Sequence, residues 1–135
     1  MRKEDKQMEK IKLLSVGNKK MKVSEMELWE DLVDRYAPDL YENYYAVGEK
    51  EALKKETELK PEITLVANVM KNTLELVKAL KHSNPEGVIL VVLGMVDDEQ
   101  ETMKAFQAQG AYKCYSVPLS VDTLIHDMYV ALNLE

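Results

Sequence analysis

Reactive side chains are scarce in this 135-residue chain. Its one cysteine, Cys114, lies within an expected strand, and its two histidines, His82 and His126, are far apart in different helices. A nucleophilic thiol needs a base or positive charge beside it, and a transition-metal site needs His and Cys at ligand spacing. Cys114 therefore reads as a small core or edge residue, and the histidines read as surface residues. Asp97-Asp98-Glu99 carries enough charge to suggest a cation site, but it opens a helix, where acidic residues complement the dipole. Lys19, Lys20 and Lys22 make a basic loop with the charge to hold an anion. Neither the Gly-Lys-Ser/Thr phosphate loop nor the dinucleotide glycine fingerprint follows any strand. With no clustered acid, base and nucleophile, an enzyme is not expected, and no metal or cofactor is implied.

The elements that would position these residues alternate along the chain. Residues 1–10 are a charged lead-in. Ile11 to Val16 reads as a strand stopped by Gly17-Asn18. Ser24 and Glu27 form a capping box, and Met26, Trp29, Val33 and Tyr36 continue a helix that Ala37-Pro38 closes. Tyr44 to Val47 is a short strand, and Glu49 to Leu59 a charged helix. Ile63 to Ala67 is a buried strand, Thr73 to His82 a helix ended by Ser83-Asn84-Pro85. The six apolar residues Val88 to Leu93 imply a strand covered on both faces. Asp97 to Gln109 is a helix capped near Gly110, Tyr112 to Val117 the fifth strand, and Ser120 to Asn133 a final amphipathic helix.

Five strands alternating with five helices predict an α/β fold: an open parallel sheet covered on both faces, three layers, doubly wound. Its functional crevice would lie at the carboxyl ends of the strands. The residues there are Gly17, Asn18, Asn68, Gly94, Met95 and Val117, a chemically poor set.

The formal charge of −6 argues against a surface built to bind nucleic acid, which usually runs basic. No apolar run approaches the roughly 18–20 residues of a membrane span, and the charged N-terminus lacks a secretory signal. A lone cysteine suits a reducing cytoplasm, so a cytoplasmic location is expected. Leu134-Glu135 matches a dipeptide that cloning vectors leave before a purification tag, which leaves room for a C-terminal effector domain beyond it.

Several segments together resemble the response-regulator receiver domains, the CheY-like family. Gly48-Glu49-Lys50-Glu51-Ala52-Leu53 is similar to their Gly-x-x-Ala-Leu helix opening. Lys60-Pro61-Glu62-Ile63-Thr64-Leu65-Val66-Ala67-Asn68-Val69-Met70 resembles the Lys-Pro-Asp-Leu stretch that carries their phosphorylated aspartate. Thr73 to Leu80 is similar to their third helix, Ala105 to Ala111 to their Ala-x-x-Ala-Gly-Ala run, and Val117-Pro118-Leu119 falls where they have Lys-Pro-Phe. The resemblance spans residues 11–133 and implies a flavodoxin-like sheet of order 2-1-3-4-5.

It also implies what is missing. The family binds magnesium through an acidic pair after the first strand and the acceptor aspartate after the third; here Gly17, Asn18 and Asn68 stand there. Neutral amides give a hard cation little reason to shed water, and Asn68 has no carboxylate to accept a phosphoryl group. The family's hydroxyl residue becomes Gly94 or Met95, its phosphate-pairing lysine Val117, and its switch aromatic Cys114, with Tyr115 beside it as a possible replacement. The commonly cis Lys-Pro bond would carry over to Val117-Pro118. A degenerate pseudo-receiver is therefore expected, acting by docking a protein partner or a second copy. By resemblance the docking face is that of the last two helices and last strand, with Met103, Gln107, Cys114, Ser116 and Asp127. The alternative is a small-molecule or anion sensor using Asn18, Asn68 and the lysines at 19, 20 and 22 in the vacated crevice.

Overall fold

A computed structural model describes residues 11–17, 41–67, 72–93, 98–116 and 121–132. Five strands form one parallel sheet: β1 (Ile11–Gly17), β2 (Tyr41–Val47), β3 (Ile63–Ala67), β4 (Val88–Leu93) and β5 (Lys113–Ser116), in the order β2-β1-β3-β4-β5. Four helices connect or follow them: α1 (Glu49–Leu59), α2 (Thr73–Ser83), α3 (Glu99–Ala108) and α4 (Val121–Ala131). This is the doubly wound, three-layer arrangement expected from the sequence. The helix expected over residues 24–36 lies outside the described residues.

Strand side chains alternate between two cores because successive residues point to opposite faces. Leu14, Val16, Val66, Ile89, Val91, Leu93 and Cys114 pack on one face under Ala52 of α1, Leu76, Val77 and Leu80 of α2, and Phe106 of α3. Ile11, Leu13, Ile63, Leu65, Leu90, Val92 and Tyr115 pack on the other, against Leu124, Ile125 and Met128 of α4. Burial of each such large side chain contributes about 1.5–3 kcal/mol. A continuous apolar run such as Val88–Leu93 is what a two-sided central strand requires.

Several boundaries shift by one to three residues, and two of the shifts have a clear physical cause. β2 begins at Tyr41, not Tyr44, since an edge strand tolerates the polar Glu42 and Asn43 while pairing Lys12 and Leu13 of β1. α3 begins at Glu99, because Asp98 is its N-cap: Oδ1 accepts the Glu101 N–H at 3.2 Å. Gly110, at φ 114°, turns the chain after α3 where any Cβ would meet Lys81 Cγ at 2.6 Å.

Candidate functional site

Parallel strands bring their carboxyl ends to one side of the sheet, and the neighbours β1 and β3 flank the point where strand order reverses. Of the expected crevice residues, Gly17 is described: it is buried, and its carbonyl accepts the Gly48 N–H at 2.8 Å. Asn18, Asn68, Gly94, Met95 and Val117, the lysines at 19, 20 and 22, and the Val117-Pro118 bond lie outside the described residues. Sequence alone establishes that β1 runs into Gly17-Asn18 and β3 into Asn68, so neither strand end offers a carboxylate there.

The second candidate region is β5 with α3 and α4. Gln107 and Ser116 are exposed, and Asp127 is half-buried. Met103 and Cys114 turn inward: Met103 packs against the first core, and the Cys114 thiol points at the Met103 carbonyl at 3.8 Å. Burial pushes that thiol up to about 11, which leaves it almost wholly protonated at neutral pH. Tyr115 lies in the opposite core from Cys114, so it cannot take over the switch-aromatic position, which looks out of the other face of the sheet.

What Tyr115 does is different. Its hydroxyl donates to Asp127 Oδ2 at 2.9 Å, and Lys113 Nζ lies 2.9 Å from the same oxygen. Lys113 also sits 5.8 Å from the Tyr115 ring centroid. Burial works to raise the Asp127 carboxyl, but the bonds from Lys113 and Tyr115 outweigh it and hold the group below the usual carboxylate range. Burial, and then the bond to Asp127, push the Tyr115 hydroxyl far up. The three residues staple α4 to the outermost strand. Sequence reasoning singled out Asp127 but missed Lys113 and the role of Tyr115; the available signal was the alternation that turns both to one face.

Glu56 was missed altogether. It is fully buried on α1, where its Oε1 accepts the Thr64 hydroxyl at 2.6 Å and its Oε2 accepts Asn84 Nδ2 at 2.7 Å. Asn84 also donates to the Pro61 carbonyl at 2.9 Å. Burial raises the Glu56 carboxyl, and the two hydrogen bonds only partly oppose it. The cluster ties α1, β3 and the turn after α2 together at the amino end of the sheet, away from the crevice. His82 and His126 are exposed, as expected.

The strand order and layering define the fold of response-regulator receiver domains. It is shared at high similarity by the signal receiver domain of a putative Luxo repressor protein from Vibrio parahaemolyticus, with TM-score 0.77 and 12% identity over 93% of this chain and 92% of that one. A CheY-like receiver domain protein from Methanospirillum hungatei matches with TM-score 0.77 and 16% identity, covering 93% and 95%. A response regulator from Burkholderia pseudomallei, solved with a phosphorylated aspartic acid, a calcium ion and citrate, matches with TM-score 0.71 and 20% identity, covering 92% and 70%. At these identities the likeness is one of fold. No protein-family model matches the sequence, and no curated protein matches it either. No described helix is long and apolar enough to cross a membrane.

Proposed function

We propose that the chain is a receiver-like signalling module that works without aspartyl phosphorylation, through contact with a protein partner or a second copy. One observation carries the first half: in a receiver-type sheet, the strand ends that flank the crevice run into Gly17-Asn18 and Asn68, where phosphoryl transfer needs carboxylates. For the second half, support comes from the β5 side. The register pairs Leu90 with Lys113, Val91 with Cys114 and Val92 with Tyr115, so Lys113 and Tyr115 bond β4 and alternation turns the backbone N–H and C=O of Cys114 and Ser116 outward. Among the described residues, no strand or side chain is bonded to them. Gln107, Ser116 and the rim of the Lys113–Asp127 pair flank this edge, and Tyr112 is 48% exposed at its start.

Incubation with magnesium and acetyl phosphate, followed by intact mass and two-dimensional amide spectra, tests the reading. We expect no phosphate adduct and no shift in the amides next to β1 and β3. An aspartyl adduct would overturn it. The docking half is checked by sedimentation of Ser116→Glu against the native chain or its partner complex, where weakened association is expected.

A further inference from the structure

The other outermost strand, β2, is treated quite differently. The Gly48 N–H donates inward to the Gly17 carbonyl at 2.8 Å, so the alternation of the strand turns the Tyr45 carbonyl and the Val47 N–H outward. Both of these outward groups are met by side chains of α1. Lys55 Nζ donates to the Tyr45 carbonyl, and Glu51 Oε2 accepts the Val47 N–H at 3.3 Å. The two side chains are themselves paired, Lys55 Nζ to Glu51 Oε1 at 3.1 Å. A neighbouring strand would bring a donor to that carbonyl and an acceptor to that N–H. One ion pair, four residues apart on a helix, supplies both.

The strand beneath needs such cover. Tyr41–Val47, Tyr-Glu-Asn-Tyr-Tyr-Ala-Val, is rich in residues that favour strands. It has neither a proline nor a lysine, the usual protections of an outer strand, and only one charge, on Glu42. Among the described residues no further strand flanks it. Two such strands related by a two-fold axis are complementary to each other, since each offers the same outward donors and acceptors. We propose that the Glu51–Lys55 pair is an edge guard: it keeps β2 from pairing with β2 of a second copy, and its release opens the edge to that copy. The Lys55 bond, and then the Val47 N–H, hold the Glu51 carboxyl below its ordinary range, so the acceptor stays charged at neutral pH. The guard lies at the far edge from β5 and does not depend on the docking proposed there.

The test is a double variant, Glu51→Ala with Lys55→Met, compared with the native chain by amide hydrogen exchange and by sedimentation velocity over a concentration series. Both substitutions are good helix formers at partly exposed positions, so α1 is kept. Exchange at Val47 should quicken roughly tenfold, as for loss of a hydrogen bond to a charged group. The variant should also associate at concentrations where the native chain does not change. Adding Val47→Pro removes the outward donor and should return the sedimentation to the native pattern. Association through β5 would be present in the native chain and untouched by Val47→Pro, which separates the two interfaces. Native sedimentation in the double variant, or extra association that survives Val47→Pro, would sink the guard.

Discussion

β2 and β5 are the two outermost strands of one sheet, and each ends with outward-facing backbone groups. At β2, two α1 side chains reach over and bond those groups. At β5, the nearest charged pair bends the other way: Lys113 and Asp127 join each other and the Tyr115 hydroxyl beneath, and the backbone edge is left to solvent among the described residues. A charged pair on a helix caps one edge, while a charged pair between strand and helix braces the other. With β2 covered, the short four-residue strand β5 is the more open of the two edges among the described residues.

The largest effect is expected at Glu56, which anchors the helix that carries Glu51 and Lys55. Glu56→Ala leaves the Thr64 hydroxyl without its acceptor and takes one of two acceptors from the Asn84 amide in a fully buried space, for a loss of about 3 kcal/mol in urea unfolding. Glu56→Gln separates shape from charge. Because burial raises the folded-state pKa above 4.5, the folded chain holds its proton more tightly than the unfolded one. Native stability should therefore increase as pH falls through the raised folded value toward 4.5, the contribution being fully present below that and lost above the folded value. That slope should vanish in Glu56→Gln, and an unchanged slope would place its origin in another group.

The sheet was legible because buried parallel strands need continuous apolar runs, and Ile63–Ala67 and Val88–Leu93 are such runs. At the strand ends only residue identity was legible: Asn18 and Asn68 are amides, and both lie outside the described residues. Glu56 was hidden because α1 is charged almost throughout, so one more glutamate looked solvated; only the approach of Thr64 and Asn84 sets it apart. The guard was hidden for a related reason. Glu51 and Lys55 have the spacing of an ordinary exposed pair, and their bonds to β2 depend on how close the helix lies to the strand it follows. Tyr115 was misplaced by reading neighbours in sequence as interchangeable, when strand alternation sends them to opposite faces.

The brace at β5 is probed next by Asp127→Ala. The Tyr115 hydroxyl loses its acceptor in a buried setting and Lys113 loses its counter-ion, so a loss of about 1–2 kcal/mol is expected. The Tyr115 titration, followed by ultraviolet absorbance at alkaline pH, should move down toward 10, since Asp127 is among the groups holding it up. The same titration left in place would show that burial alone sets it. If edge β5 is braced by this residue, amide exchange on Lys113–Ser116 should rise while that on Tyr41–Val47 stays fixed.

The smallest effect belongs to Lys113→Met, and it is the sharpest comparison of the two charged pairs. Lys113 is 46% exposed and its partner 14%, so water and salt screen the attraction and the expected loss is only about 0.5 kcal/mol. The Asp127 carboxyl should move up toward its ordinary 3.8, because the Lys113 bond is the first of the contacts that lower it, ahead of the Tyr115 bond. By the linkage sign, a carboxyl held low contributes stability above its unfolded value that is lost as pH falls through the folded one. The variant should therefore lose less on acidification below pH 3.8 than the native chain does. Salt should weaken the native chain slightly and leave the variant unchanged. Removing the equally ordinary-looking pair at β2 should, by contrast, alter sedimentation. A pair that braces a strand against its own helix changes stability a little when it goes; a pair that covers backbone groups changes which surfaces can meet.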